Sequence, residues 1–95
     1  ITNPDKKTAK QIAKKLLNKK LIGCANIFPI EAMYPWKGKL VTEKEIVLVC
    51  KTRQTNYNKI REEVENIHPY DIPCIIKIPI SANKKYEEWL LAQMV

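Results

Sequence analysis

Apolar positions along the chain change period several times, and each change marks an element. Ala9, Ile12, Ala13, Leu16 and Leu17 recur at helical spacing, which predicts one buried stripe on a helix from about Pro4 to Lys20. Asn3-Pro4-Asp5 suits its start, with Asn3 as N-cap, Pro4 at the first helical position and an acid in the first turn. Gly23 falls where a chain leaving that helix needs a permissive residue.

From Cys24 to Ile30 the pattern becomes that of a strand, with Pro29 marking an edge or a bulge. The chain runs on through Tyr34, Pro35 and Trp36 to Lys37-Gly38, a tight-turn signal, and returns through Glu45 to Thr52 as the second arm of a long hairpin. Ile46 to Cys50 is apolar at every position, as expected of a strand covered on both faces. With Lys37 and Gly38 as the loop, Ala25 faces Cys50 and Cys24 faces Lys51. Cys24 and Cys50 then point to opposite faces unless a bulge at Pro29 shifts the register.

A second helix carries Tyr57, Ile60, Val64 and Ile67 on one stripe and Glu62, Glu63 and Glu65 outside it, with Thr52 or Thr55 as its cap. After a loop, Ile76, Ile78 and Ile80 alternate with Lys77 and Pro79, which predicts an edge strand buried on one face. Ser81 to Asn83 begin a last helix whose stripe is Tyr86, Trp89, Leu90 and Met94. The order becomes βαββαβα if a strand precedes Asn3, a mixed α/β (α+β) domain with both crossover helices on one face of an antiparallel sheet. Ile1 and Thr2 represent that first strand, so the sequence is expected to begin inside it.

With 95 residues the chain is one domain, small enough that association with copies of itself would supplement its core. A net charge of +7 raises nucleic acid as a partner. Seven of the basic residues, Lys6, Lys7, Lys10, Lys14, Lys15, Lys19 and Lys20, lie on the polar side of the first helix, where a solvated face accounts for them and is preferred to a phosphate track. No apolar run is long enough to span a bilayer. Cys24, Cys50 and Cys74 are widely spaced and odd in number, unlike a disulfide framework or a zinc site, and suit a reducing compartment as buried thiols in strands.

Chemistry concentrates in Ile67-His68-Pro69-Tyr70-Asp71-Ile72-Pro73, which holds the only histidine. Pro69 and Pro73 push His68 and Ile72 out of the helical region, so the loop is stiff and extended and keeps the imidazole, the phenol and the carboxylate near one another. One reading is a histidine that offers a ring nitrogen to a metal; the other is a polar stop signal with Tyr70 folded onto the core and Asp71 solvated.

Asn3-Pro4-Asp5, Leu21-Ile22-Gly23-Cys24-Ala25-Asn26-Ile27, Tyr34-Pro35-Trp36-Lys37-Gly38-Lys39, Val49-Cys50-Lys51-Thr52-Arg53, His68-Pro69-Tyr70-Asp71-Ile72-Pro73 and Tyr86-Glu87-Glu88-Trp89-Leu90 occur in one order across the whole chain. Together they resemble the CutA divalent-cation tolerance proteins. The resemblance implies a ferredoxin-like βαββαβ sandwich with an extra C-terminal helix, a cytoplasmic homotrimer, an architecture like that of PII signalling proteins and no catalytic reaction. It implies Cu(II) or another divalent cation as ligand, with His68 at one metal position while Ile1 and Ile67 occupy the others. It further implies clefts between subunits, lined by Tyr34, Trp36, Lys37, Lys51, Tyr70 and Asp71, whose aromatic and basic groups suit a small anionic ligand at least as well as a cation, and a structural thiol at Cys24.

The same element order serves RNA-recognition modules, but the third strand would then carry exposed aromatics for base stacking, and Glu45-Ile46-Val47-Leu48-Val49-Cys50-Lys51 has none. An acylphosphatase-like enzyme would need an arginine at the end of the first strand; Arg53 and Arg61, the two arginines, lie elsewhere.

Overall fold

In the computed structural model of the chain, the first helix, α1 (Lys6–Asn18), begins after an Asp5 cap in an extended conformation, and the Asp5 carboxylate accepts the Thr8 amide at 2.7 Å. That bond holds the Asp5 carboxyl below the usual carboxylate range. The expected cap, Asn3, is instead wholly buried in a two-residue strand, β1 (Thr2–Asn3). Its side-chain amide donates to the Ile46 carbonyl at 3.2 Å and to that of Ile1 at 3.4 Å, stitching β1 to the strand beside it. Asp5 supplies a negative charge at the helix N-terminus, which Asn3 cannot. Ala9, Ile12, Ala13 and Leu16 form the buried stripe; Leu17 lies at its margin and stays 40 % exposed.

Past the helix, Lys20 takes the left-handed conformation with φ 56°. Gly23 has a different reason to be glycine. A Cβ there would sit 2.7 Å from Leu90 Cδ1 and 2.9 Å from the Leu90 carbonyl oxygen, so the last helix rests directly on its backbone.

The two long strands, β2 (Cys24–Trp36) and β3 (Lys39–Lys51), pair antiparallel without interruption from Cys24↔Lys51 to Trp36↔Lys39. Lys37 and Gly38 both have positive φ, 49° and 79°, the geometry of a two-residue turn that matches strand twist. Pro29 sits in register opposite Ile46 with no bulge, tolerated because β2 is an edge of the sheet, whose order is β1-β3-β2. Cys24 and Cys50 therefore do fall on opposite faces. One face presents Ala25, Ile27, Ile46, Leu48 and Cys50 to a core built with Ile12, Leu16, Ile22, Ile60 and Val64. The other face, expected to be covered, leaves Phe28 and Val49 exposed within a single chain.

A short 3-10 turn at 54–56 leads into α2 (Tyr57–Ile67), and no side chain caps either. Thr52, an expected cap, donates its hydroxyl to the Leu21 carbonyl at 2.5 Å, beside Asn56 Nδ2 at 3.1 Å. Lys15 and Lys19 reach Glu63 at 3.5 and 2.5 Å, so part of the lysine face ties α1 to α2.

The strand expected at 76–80 does not join the sheet. Ile76, Ile78 and Ile80 are about two-thirds exposed or more, at 67 %, 73 % and 68 %. In a ferredoxin-like order this segment lies along β1, which here offers two residues as a ladder. It is held by Ile75, which packs against the core, and by the Tyr57 hydroxyl, which donates to the Ile75 carbonyl at 2.8 Å. The last helix, α3 (Lys84–Ala92), buries Leu90, and Arg53 donates to the Leu91 carbonyl at 3.1 Å.

Gly23→Ala should cost about 1–3 kcal/mol through forced overpacking against α3. A thermal melt followed by circular dichroism checks it, and an unchanged midpoint would mean that α3 yields freely.

Candidate functional site

The hairpin register decides which polar groups meet. Glu43 and Glu45, two residues apart on β3, project to the face away from the helices. Tyr34, a diagonal neighbour on β2, donates its hydroxyl to Glu43 Oε1 at 2.5 Å. Tyr70 comes from the loop after α2 and donates to Glu45 Oε2 at 2.7 Å. Glu45 is only 6 % exposed, and a carboxylate so placed depends on its partner. The bond to Glu43 pushes the Tyr34 phenol up to about 12. Burial, and then the bond to Glu45, drives Tyr70 up as well.

His68 stands behind Tyr70. It ends α2 in an extended conformation, as Pro69 requires, and its ring lies 4.8 Å from that of Tyr70 between centroids. Its Nδ1 lies 3.1 Å from the Tyr70 amide nitrogen, and its Nε2 lies 2.8 Å from the Thr2 carbonyl oxygen. An amide can only donate and a carbonyl only accept, so Nδ1 is the acceptor and Nε2 carries the proton. Both ring nitrogens are thus engaged by the protein backbone.

The other sequence-derived positions do not converge on this place. Trp36 and Lys37 sit at the hairpin tip, with the Lys37 ammonium 5.8 Å from the Trp36 ring centroid. Lys51 lies at the opposite end of β3, roughly 40 Å away at strand rise. Its ammonium stands 5.0 Å from the Tyr86 ring centroid and 3.3 Å from the Tyr86 hydroxyl, which raises its pKa. Cys24, nearby on β2, lies 3.9 Å from Asn26 Oδ1, and Asp71 is exposed. All three thiols are free, and burial pushes that of Cys50 up to about 11.

Within one chain these residues do not compose a cation site. No three His, Cys, Asp or Glu side chains lie together, and a borderline divalent ion such as Cu(II) needs several such donors. Glu43 and Glu45 escaped the sequence reading. The signal available for them was a pair of carboxylates at alternate positions entering an otherwise apolar strand.

The Trp-Lys-Gly tip, the His-Pro-Tyr loop and their partners are set on a sheet with its helices on one side. A family model described as CutA1 divalent ion tolerance protein matches residues 1–93. The chain belongs to the CutA family. The CutA of Archaeoglobus fulgidus is 42 % identical over 91 residues, covering 95 % of this chain and 89 % of that one. CutA1 of Pyrococcus horikoshii superposes with a TM-score of 0.94 at 36 % identity over 99 % of this chain and 93 % of the other. A protein titled PII-like CutA, from Nostoc sp. PCC 7120, shares the fold at a TM-score of 0.89 and 22 % identity.

On this CutA frame Tyr70→Phe removes the donor that satisfies a buried carboxylate. We expect a loss of about 1.5–3 kcal/mol in urea unfolding, the range for hydrogen bonds to charged groups. Alkaline titration is a separate check. A phenol whose folded pKa lies above its unfolded value of about 10 stabilises the fold at lower pH, and that contribution drains as pH rises from about 10 towards the folded value. Tyrosinate absorbance should show Tyr34 ionising near 12. Glu43→Gln should move that ionisation back towards the ordinary range; no movement would detach Tyr34 from Glu43 in solution.

Proposed function

We propose that this CutA protein acts as a homotrimeric binding protein, not an enzyme, in tolerance of divalent cations, with ligand sites completed between subunits. The observation that carries the reading is the apolar surface one chain leaves in water. Met33, Leu40, Ile76, Ile78 and Ile80 are each exposed by more than 60 %, on a body of 46 × 26 × 22 Å with a projecting hairpin. The free edge of β2 and the unladdered segment at 74–80 add unpaired backbone groups to that surface. Assembly with copies of itself buries both and brings side chains from the hairpin tip of one subunit towards other parts of its neighbours.

Clefts of that kind would draw on Tyr34, Trp36, Lys37, Lys51, Tyr70 and Asp71, with Cu(II) or another divalent cation as the ligand implied by the family. A second reading, a PII-like sensor of a small anion, is favoured by the pairing of ammonium groups with aromatic rings at Lys37–Trp36 and Lys51–Tyr86.

Light scattering should give three times the 11.1 kDa chain mass. Ile78→Lys, nearly neutral at about ±0.5 kcal/mol if the residue faces water in solution, should break the assembly. A monomeric wild type overturns the reading. Cu(II) calorimetry beside a nucleotide and small-acid screen separates the ligands: binding of copper that disappears in Ile78→Lys supports the cation reading. Binding of an anion alone by an intact trimer supports the sensor.

A further inference from the structure

We infer that His68 of this chain is a positioning residue, not a cation ligand: a neutral imidazole that clamps β1 to the loop and sets Tyr70 against Glu45. Where the proposed trimer binds a cation, that binding does not pass through His68, and in this respect the inference rests on the functional reading above. The clamp itself is geometry within one chain.

Three observations carry it. The ring spans two backbone groups that are 68 residues apart along the chain, the Thr2 carbonyl at 2.8 Å and the Tyr70 amide at 3.1 Å, and its donor and acceptor faces match them in one tautomer only. A metal on Nδ1 would leave the Tyr70 amide without its acceptor. A metal on Nε2 would displace the proton given to Thr2 and bring a cation up against a strand whose partner groups are already used, since Leu48 takes the Ile1 carbonyl at 2.8 Å and Asn3 reaches Ile46. Within the chain, side chains that would complete a coordination shell are missing around the ring: no group of three His, Cys, Asp or Glu exists, Ile67 precedes it, and the Glu45 carboxylate is held by Tyr70.

The consequence runs along the chain of contacts. Fixing the Tyr70 amide to the ring fixes where the Tyr70 phenol points, and the phenol satisfies Glu45 on the central strand. His68 thereby couples the end of α2 to the polar face of the hairpin without touching that face.

The single histidine allows an unambiguous test on the wild-type protein. Long-range nitrogen–proton NMR of the ring near neutral pH should show the Nε2–H form, and one equivalent of Zn(II) per chain should leave both ring nitrogens unmoved. A ring nitrogen that shifts on adding Zn(II), or a ring found in the Nδ1–H form, overturns the inference. Variants give an independent arm. His68→Ala should raise the hydrogen-exchange rate of the Tyr70 amide at least tenfold, and His68→Asn, whose side-chain oxygen lies near the place of Nδ1, should restore most of that protection. Cu(II) affinity should stay within about twofold across the three proteins. A tenfold loss of affinity in a folded His68→Ala, or no rescue by His68→Asn, counts against the clamp. Failure of trimerisation alters neither NMR result, so the two readings fail separately.

Discussion

The register of the hairpin is the constraint on which the remaining structure depends. Its loop is two residues long and both have positive φ, so the turn admits one alignment of the arms, and thirteen residues on each side follow from it. A slip of one residue would send Leu48 and Ile46 to solvent and turn Glu45 into the helix-side core. The buried charge makes that alternative costly, because nothing among the core residues Ile12, Leu16, Ile60 and Val64 can donate a hydrogen bond to it. Glu45 thus works as a register lock, with Tyr70 as its keeper.

That arrangement links elements far apart in sequence through polar contacts instead of apolar packing. The core proper is confined to α1, α2, β3 and the 21–22 connection. Beyond it a few apolar side chains, Ile75, Leu90 and Met94, are packed in, and single bonds hold the backbone: Tyr57 to the Ile75 carbonyl, Arg53 to the Leu91 carbonyl, Val95 to the Lys20 carbonyl. Each contributes about 1 kcal/mol net, so the loop after α2 and the C-terminal helix are expected to open more readily than the hairpin and α1.

Periodicity made the helices and the hairpin legible, down to Ala25 opposite Cys50, because turn length and alternation fix pairing locally. What the pattern did not show depended on partners far away in sequence. Asn3 looks like a cap until the carbonyl of Ile46 is placed beside it, and only then does Asp5 become the cap. Gly23 reads as a left-handed helix end, whereas its smallness serves Leu90, sixty-seven residues later, and Lys20 takes the positive φ. The family and its loop motifs were legible as well. The pairing of Tyr34 with Glu43 and of Tyr70 with Glu45 was not, since each joins residues whose own types are unremarkable on a strand or in a loop.

The alternation at Ile76, Ile78 and Ile80 presents the sharpest difference between pattern and chain. Three isoleucines at period two encode a strand with one buried face, yet in a single chain that face meets water. Sequence patterns record the environment in which a segment works, and an apolar stripe of this regularity in water would stabilise nothing and invite indiscriminate pairing. The same holds for Phe28 and Val49 on the uncovered face of the hairpin. Both features fit the assembly proposed above, in which a neighbouring copy would cover this surface and supplement a small core.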